Sequence, residues 1–308
     1  MRWTRTTRPP AATTRRAVPS SRGCVRRSDR VKHLATAAVV AVAGTAAEAE
    51  PPAALAPERV VSINLCTDQL AMMLAAPGQL VSVSHLATDP RSSAMAEEAA
   101  AYPANHARAE EIYLMDPDLV LAGAYTAKAT VGMLTRMGIE VEVFQPAFGL
   151  DAVPERIAQM GAALGREGAA ADLAASFEGR LDALAADAPG PRAALYGANG
   201  YTSGDRSLAG EILAAAGFTN IATEYGMSGG GRLPLELLVL SDPALVISGE
   251  PYPGASRAEA ILDHPLVEAL QERVEGTVMQ DSAWICGTPH VLGVVEELAD
   301  LRTRVEAR

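Results

Sequence analysis

Aromatic residues are scarce, 4% of 308, with only 2 tryptophans and 4 phenylalanines. A core of this size must therefore be mainly aliphatic. Cysteine is scarcer, at 3 residues, too few for a disulfide scaffold. No apolar run approaches the ~20 residues that cross a bilayer as a helix. Positive charge is also in deficit. Lys and Arg number 26 against 37 Asp and Glu; residues 1–49 hold 10 and 2 of these, leaving 16 and 35, a net of −19, for the remainder. A general nucleic-acid binder needs a basic face to neutralise phosphates, so no nucleic-acid partner is expected. The chain has no Walker loop, no placed dinucleotide fingerprint and no H-E-x-x-H motif. What is present, 49% hydrophobic and 20% charged residues, describes a globular body and excludes disorder and collagen.

The N-terminal segment reads as targeting sequence. Arg26, Arg27, Arg30 and Lys32 precede an apolar run over residues 34–44, followed by Ala47-Glu48-Ala49. A basic region, an apolar stretch of about ten residues and an A-x-A site describe a secretory signal peptide, so the mature chain is expected to begin near Glu50. Residues 1–30 exceed what such a basic region requires, which raises translation from Val31 as an alternative to Met1. Cys24 follows no apolar run and does not look like a lipid-attachment site. The expected product is a periplasmic monomer whose mature chain does not insert into the membrane. Cys66 and Cys286 would then meet an oxidising compartment, where a bridge requires α-carbons within about 7 Å; both the bridged and the free state remain open.

The body alternates strands and helices. Residues 59–65 and 80–84 read as buried strands, with Cys66-Thr67-Asp68 as capping residues before a helix stopped by Pro77-Gly78. A helical stretch at 109–115, a strand at 119–122, a helix at 128–137 and a strand at 139–144 follow. Residues 151–187 are alanine-rich and amphipathic, with an interruption near Gly165, and read as a connecting helix. Strand, loop and helix then recur at 192–196, 197–207 and 208–216, with a buried strand at 244–247. The expected architecture is α/β: two Rossmann-like lobes, residues 57–148 and 191–308, joined by a single long connecting helix in the region 149–190, with a ligand cleft between them.

The recurrence can be aligned. Residues 110–123 match 236–249 without gaps at an offset of 126; Glu, Leu, Asp-Pro, Leu-Val and Gly coincide. In each copy a helix ends before Asp-Pro and enters a central strand, because the residue before proline disfavours helical angles.

An export signal, two α/β lobes, a connecting helix and a Glu-x6-Pro-x-Leu-Val block in each lobe together resemble the helical-backbone substrate-binding proteins of ABC importers. That class serves cobalamin, ferric siderophores, haem and some metal ions. Arg59-Val-Val-Ser looks like its first strand. Gly197-Ala-Asn-Gly-Tyr-Thr-Ser-Gly204 and residues 211–221 look like the opening of its second lobe. The resemblance implies a small-molecule ligand (corrinoid, siderophore or haem), no enzyme activity and no resident cofactor. It also implies docking of Glu110 and Glu236 on an ABC permease dimer with its ATPase. By the same resemblance the cleft residues are Cys66, His85, His106, Tyr201, Trp284, Cys286 and His290. Tyr201 stands where the cobalamin binder has a phenylalanine that packs on the corrin, and Cys286 near where it has an arginine.

Two alternatives stay beside this reading. His85, His106 and His290 with Cys286 or Asp281 offer N, S and O donors that could hold zinc or manganese, although no pair shows a close ligand spacing; metal ligation is not expected. Gly226-Met-Ser228-Gly-Gly230 satisfies G-x-S-x-G, with acids and His290 following in hydrolase order. Polar residues precede the serine and a glycine run follows it, where a nucleophile elbow needs a strand and a helix.

Overall fold

The structure is a computed structural model that describes residues 56–186, 188, 190–250, 254, 256–273, 275–279 and 281–307. The extension and signal peptide read at residues 1–49 lie outside them. The first sheet has five parallel strands, β1 (Val60–Ser62), β2 (Leu80–Ser84), β3 (Ala104–Asn105), β4 (Leu119–Gly123) and β5 (Glu140–Phe144), in the order β3-β2-β1-β4-β5. Helices α1 (Leu65–Leu74), α2 (Ala96–Ala99), α3 (Ala109–Tyr113) and α4 (Lys128–Arg136) lie between them in the chain. Two helices follow, α5 (Ala152–Leu164) and α6 (Glu167–Leu184).

The second lobe contains β6 (Arg192–Leu195), β7 (Tyr201–Thr202), α7 (Leu208–Ala215), β8 (Thr219–Asn220), α8 (Ile221–Glu224) and β9 (Gly231–Arg232). It continues with α9 (Leu235–Ser241), β10 (Leu245–Gly249), α10 (Pro265–Arg273), β11 (Glu275–Met279) and α11 (Val291–Glu306). Its parallel sheet runs β11-β10-β6-β8, and β7 with β9 forms a separate antiparallel ribbon.

The two sheets follow one plan. β1 and β4 pair from Val60 against Leu119, and β6 and β10 pair from Ala193 against Leu245, so the central strands entered through the repeated block occupy the same place in each lobe. The joints match in backbone as well: Asp116 and Asp242, the aspartates of the two Asp-Pro pairs, both adopt left-handed angles, φ 50° and φ 46°. A left-handed residue ends the helical path, and the following proline keeps the chain extended into the strand.

Alternation along these strands sorts their side chains between cores. Val60, Leu119 and Leu121 of the first sheet and Ala193, Leu195, Leu245 and Ile247 of the second contribute to one continuous apolar cluster. It also takes in α5, α7 and α11, including Val153, Ile157, Ile212, Val295 and Leu298. The opposite face of the first sheet packs Val61, Val120 and Ala122 on Ile112 and Leu134, and that of the second packs Ala194 and Val246 on Leu238 and Val267. Each lobe thus has an outer core of its own, and the inner core is shared. Separating the lobes would expose that shared surface at ~25 cal/mol per Å², which favours a nearly fixed arrangement over a wide hinge.

The connection is two helices packed on each other. Gly165, with φ 67°, ends α5; its N–H donates to Ala162 O and that of Arg166 to Gly161 O, the paired bonds of a glycine-stopped helix. The interruption read near Gly165 is therefore a break between two separate helices, and Gly161 in α5 gives Ala170 of α6 the space for its methyl.

Candidate functional site

The carboxyl ends of both sheets are hollow. After β1, Asn64 caps α1 by accepting from the backbone N–H of Cys66 (3.1 Å) and Thr67 (3.4 Å). Cys66, Thr67 and Asp68 therefore form the first turn of the helix, and the capping role that the sequence suggested for them belongs to Asn64, whose short amide reaches back to the free N–H groups. The Asn64 amide rests on Gly123 at the end of β4, where a side chain would collide with it. Around this point Cys66, Tyr125, Phe144, Pro146 and Arg156 border a cavity of about 280 Å³. It lies where the strand order departs from β1 in both directions, the usual ligand position in open parallel sheets.

The second lobe repeats the arrangement on a larger scale. A cavity of about 490 Å³ is bordered by the ends of β6 and β10, by Tyr201, Thr202 and Glu250, and by Trp284 and Ile285. That volume falls within the ~300–1,000 Å³ of small-molecule sites. Ile285 borders both cavities, so residues 284–287 form the partition between them. Thr202 is 1% exposed and its Oγ1 has no hydrogen-bond partner, leaving a polar contact for a ligand in an otherwise largely apolar wall.

The ribbon of β7 and β9 carries Tyr201 at the rim. Gly230, at φ 120°, lies beneath the ring; a β-carbon there would stand 2.7 Å from the Tyr201 hydroxyl. Gly204 likewise lets the Ser228 carbonyl approach, and that carbonyl accepts from Arg206 N–H at 2.7 Å. The G-x-S-x-G stretch is thus a loop that supports the rim, and the helix that follows, α9, starts only at Leu235.

A disulfide joins Cys66 to Cys286 across 220 positions, with α-carbons 5.2 Å apart. It ties the first turn of α1 to the partition. Beside it, Thr288 Oγ1 donates to the buried Gln69 Oε1 at 3.2 Å. Farther out, Arg91 faces Glu250 at 3.9 Å.

The predicted site residues divide between these places. Cys66, Tyr201 and Trp284 border the cavities, and Cys286 is 2% exposed within the partition. His85 and His106 stack at 5.0 Å, but they end β2 and β3, on the side of the first sheet away from the cavity, and border neither hollow. His106 also faces Glu111 at 3.5 Å. His290 precedes α11 half-buried; burial lowers its pKa and so favours the neutral ring. Among the described residues no three His, Cys, Asp or Glu side chains gather as a metal centre would require, and the disulfide removes Cys286 as a thiolate donor. The side chain of Asp281 lies outside the described residues. His264 caps α10: its Nδ1 accepts from Leu266 N–H at 3.1 Å. Glu110 and Glu236 are exposed in the first turns of α3 and α9. Sequence reasoning missed Tyr125, Arg156 and Glu250. The repeat holds a usable signal for the last, since Glu250 follows the glycine that ends β10 as Ala124 follows that of β4.

One buried acid underlies the site. Asp68 is fully buried in α1, accepting from Ser84 Oγ at 2.5 Å and Ser84 N–H at 3.1 Å. Burial outweighs these bonds and raises its pKa from 3.8 to about 6. The folded chain therefore takes up this proton before the unfolded chain does. The contribution of Asp68 to stability is full below pH 3.8 and is lost as pH rises through about 6. Two pK units correspond to about 3 kcal/mol. Urea unfolding of wild type and Asp68→Asn between pH 4 and 7 should therefore show wild type losing ground to the variant by that order, and parallel profiles would refute the assignment.

Comparison with known proteins agrees with this architecture. A family model described as "Periplasmic binding protein" matches residues 60–273. A cobalamin-binding protein of Halobacterium salinarum is 31% identical over 199 residues, 63% of this chain and 54% of that protein, so the match spans about half the length of this curated relative. Among solved structures, the periplasmic haem-binding protein RhuT of Roseiflexus sp. RS-1 aligns with TM-score 0.64 and 21% identity over 80% of this chain and 97% of its own. The periplasmic vitamin B12-binding protein BtuF of Vibrio cholerae aligns at 0.61 and 18% over 82% and 99%, and HutB, a periplasmic haem-binding protein of the same organism, at 0.65 and 19% over 79% and 98%. These likenesses establish the two-lobe α/β fold. No described helix is long and apolar enough to cross a membrane. With the family model covering most of the chain, this protein belongs to the periplasmic binding protein family.

Proposed function

We propose that this protein is the substrate-binding component of an ABC importer that captures a corrinoid, haem or ferric-siderophore ligand between its lobes and delivers it to the permease. The observation that carries the reading is the pair of cavities at the carboxyl ends of two equivalent sheets, parted by Ile285 and faced by Trp284 and Tyr201. Such walls suit a broad, partly apolar ligand, with Thr202, Glu250 and Arg156 as polar groups to orient it. The protein works in the periplasm after removal of a signal peptide ending near Ala49. Glu110 and Glu236, one on each lobe, dock on the two permease subunits, where paired carboxylates can engage two cationic clusters at once.

Thermal unfolding of the purified protein with cobalamin, cobinamide, haem, ferric siderophores and zinc tests the ligand class. A cognate ligand at 100 times its Kd adds about 2.7 kcal/mol, a rise in Tm of roughly 5–10 °C for a chain of this size. A response to a corrinoid, haem or chelate supports the proposal and names the ligand; a response to zinc alone, or to none of the panel, refutes it.

A further inference from the structure

Each lobe turns one leucine almost wholly outward at the same place in its chain. Leu114 is 82% exposed and Leu240 77%, and they stand 126 positions apart, the offset of the repeated block. A single exposed leucine is ordinary on a protein surface. Two at equivalent positions of two lobes, each identical and each unburied by an otherwise different lobe surface, indicate a shared use. The backbone presents them alike. Leu114 follows Glu110, and Leu240 follows Glu236, by four residues, so each leucine lies one helical turn from its glutamate on the same helix face. In each copy the left-handed aspartate comes two residues later and turns the chain into the central strand. Tyr113, 51% exposed, extends the apolar surface on the first lobe.

We infer that Leu114 and Leu240 are paired apolar anchors for a two-fold-symmetric partner, each leucine entering a recess whose border is cationic and holds the neighbouring glutamate. This rests on the permease reading above and commits to the permease dimer as occupant. Two like motifs on one chain fit two like sites on a symmetric dimer. The acidic neighbours and the net charge of −19 over residues 50–308 call for a basic surface. A second copy of this chain fits poorly, since it would set the glutamates against one another. The charges would guide and orient the encounter, and the leucines, desolvated on docking, would slow dissociation.

The test is binding of the full protein to its permease–ATPase complex in nanodiscs at about 0.05 and 0.5 M salt, which changes the screening length severalfold. Leu114→Ala and Leu240→Ala should each weaken binding about tenfold, or 1.4 kcal/mol, by a similar factor at both salts. Glu110→Gln with Glu236→Gln should weaken it mainly at low salt. Ligand affinity and Tm should stay at wild-type values in the leucine variants, because the side chains are exposed. If the glutamate variants weaken binding and the leucine variants do not, docking stands and the anchors are refuted. If neither set weakens binding, both readings fall. Wild-type dimerisation in sedimentation, abolished by Leu240→Ala, would assign the patch to self-association and overturn the inference.

Discussion

Replacing Cys66 and Cys286 together by serine should lower the free energy of unfolding by about 5 kcal/mol, the chain-entropy limit for so long a loop. The bridge spans 220 positions, from the first turn of α1 to the segment before α11, and so encloses nearly all of both lobes. The folded state gives up little when the bond is removed, because the inner core already holds the lobes together. The gain falls to the unfolded chain, which regains the freedom of an open polymer. Single and double variants should therefore be nearly alike, since either one opens the loop. Guanidinium unfolding of the three variants and wild type checks this, and a loss below about 1 kcal/mol would show that the unfolded chain is confined by other means. Ligand affinity should fall in the same variants. Cys286 stands between Ile285, which borders both cavities, and Gly287, which borders the smaller, so the bond fixes the partition against α1.

The open question about these cysteines shows what sequence could not supply. Their separation in space depends on the crossover geometry of the first lobe and on where the second lobe returns the chain before α11, and neither is a local property. Local properties were legible. β2 occurs at the residues read for it, and β1, β4, β5, β6 and β10 within one to three residues of theirs, because buried parallel strands are dense in β-branched and aliphatic residues. Two-residue strands such as β3 and β8 carry no period and exist only through pairing with a neighbour. The cap of α1 was misplaced for a related reason: Asn64 closes an apolar run and looks like part of the strand until its amide is seen to accept from the helix. The repeated block was the most informative sequence feature, since a shared helix, aspartate and strand implied two lobes of one plan, and the matched left-handed angles of Asp116 and Asp242 bear this out. Of the residues expected at the candidate site, Tyr201 and Trp284, both chemically distinctive, do border a cavity. What sequence did not single out is the place of Ile285 between two hollows, which comes only from the fold.

Trp284 offers the sharpest test of where the ligand sits. It borders the larger cavity beside Ile285, opposite the ends of β6 and β10, and its inner edge packs on the shared core. An aromatic side chain fixed on a rigid base and facing a partly apolar cavity has the character of a binding hot spot, worth about 2 kcal/mol or more on truncation. Trp284→Ala should therefore weaken binding of the ligand identified by unfolding at least ~30-fold, while Trp284→Phe retains much of the contact area. Tyr201→Ala should cost less, because that side chain is 55% exposed and lies at the rim. The comparison of Phe with Ala separates a lost ligand contact from a disturbed core, since a core defect would also lower the Tm of the ligand-free protein. Trp284 is the sole tryptophan after residue 49, so its fluorescence reports this wall directly. A haem or corrinoid bound in the larger cavity should quench it in step with occupancy. Stoichiometric binding with unchanged fluorescence, or an affinity that Trp284→Ala leaves intact, would place the ligand away from the partition and refute this assignment of the site.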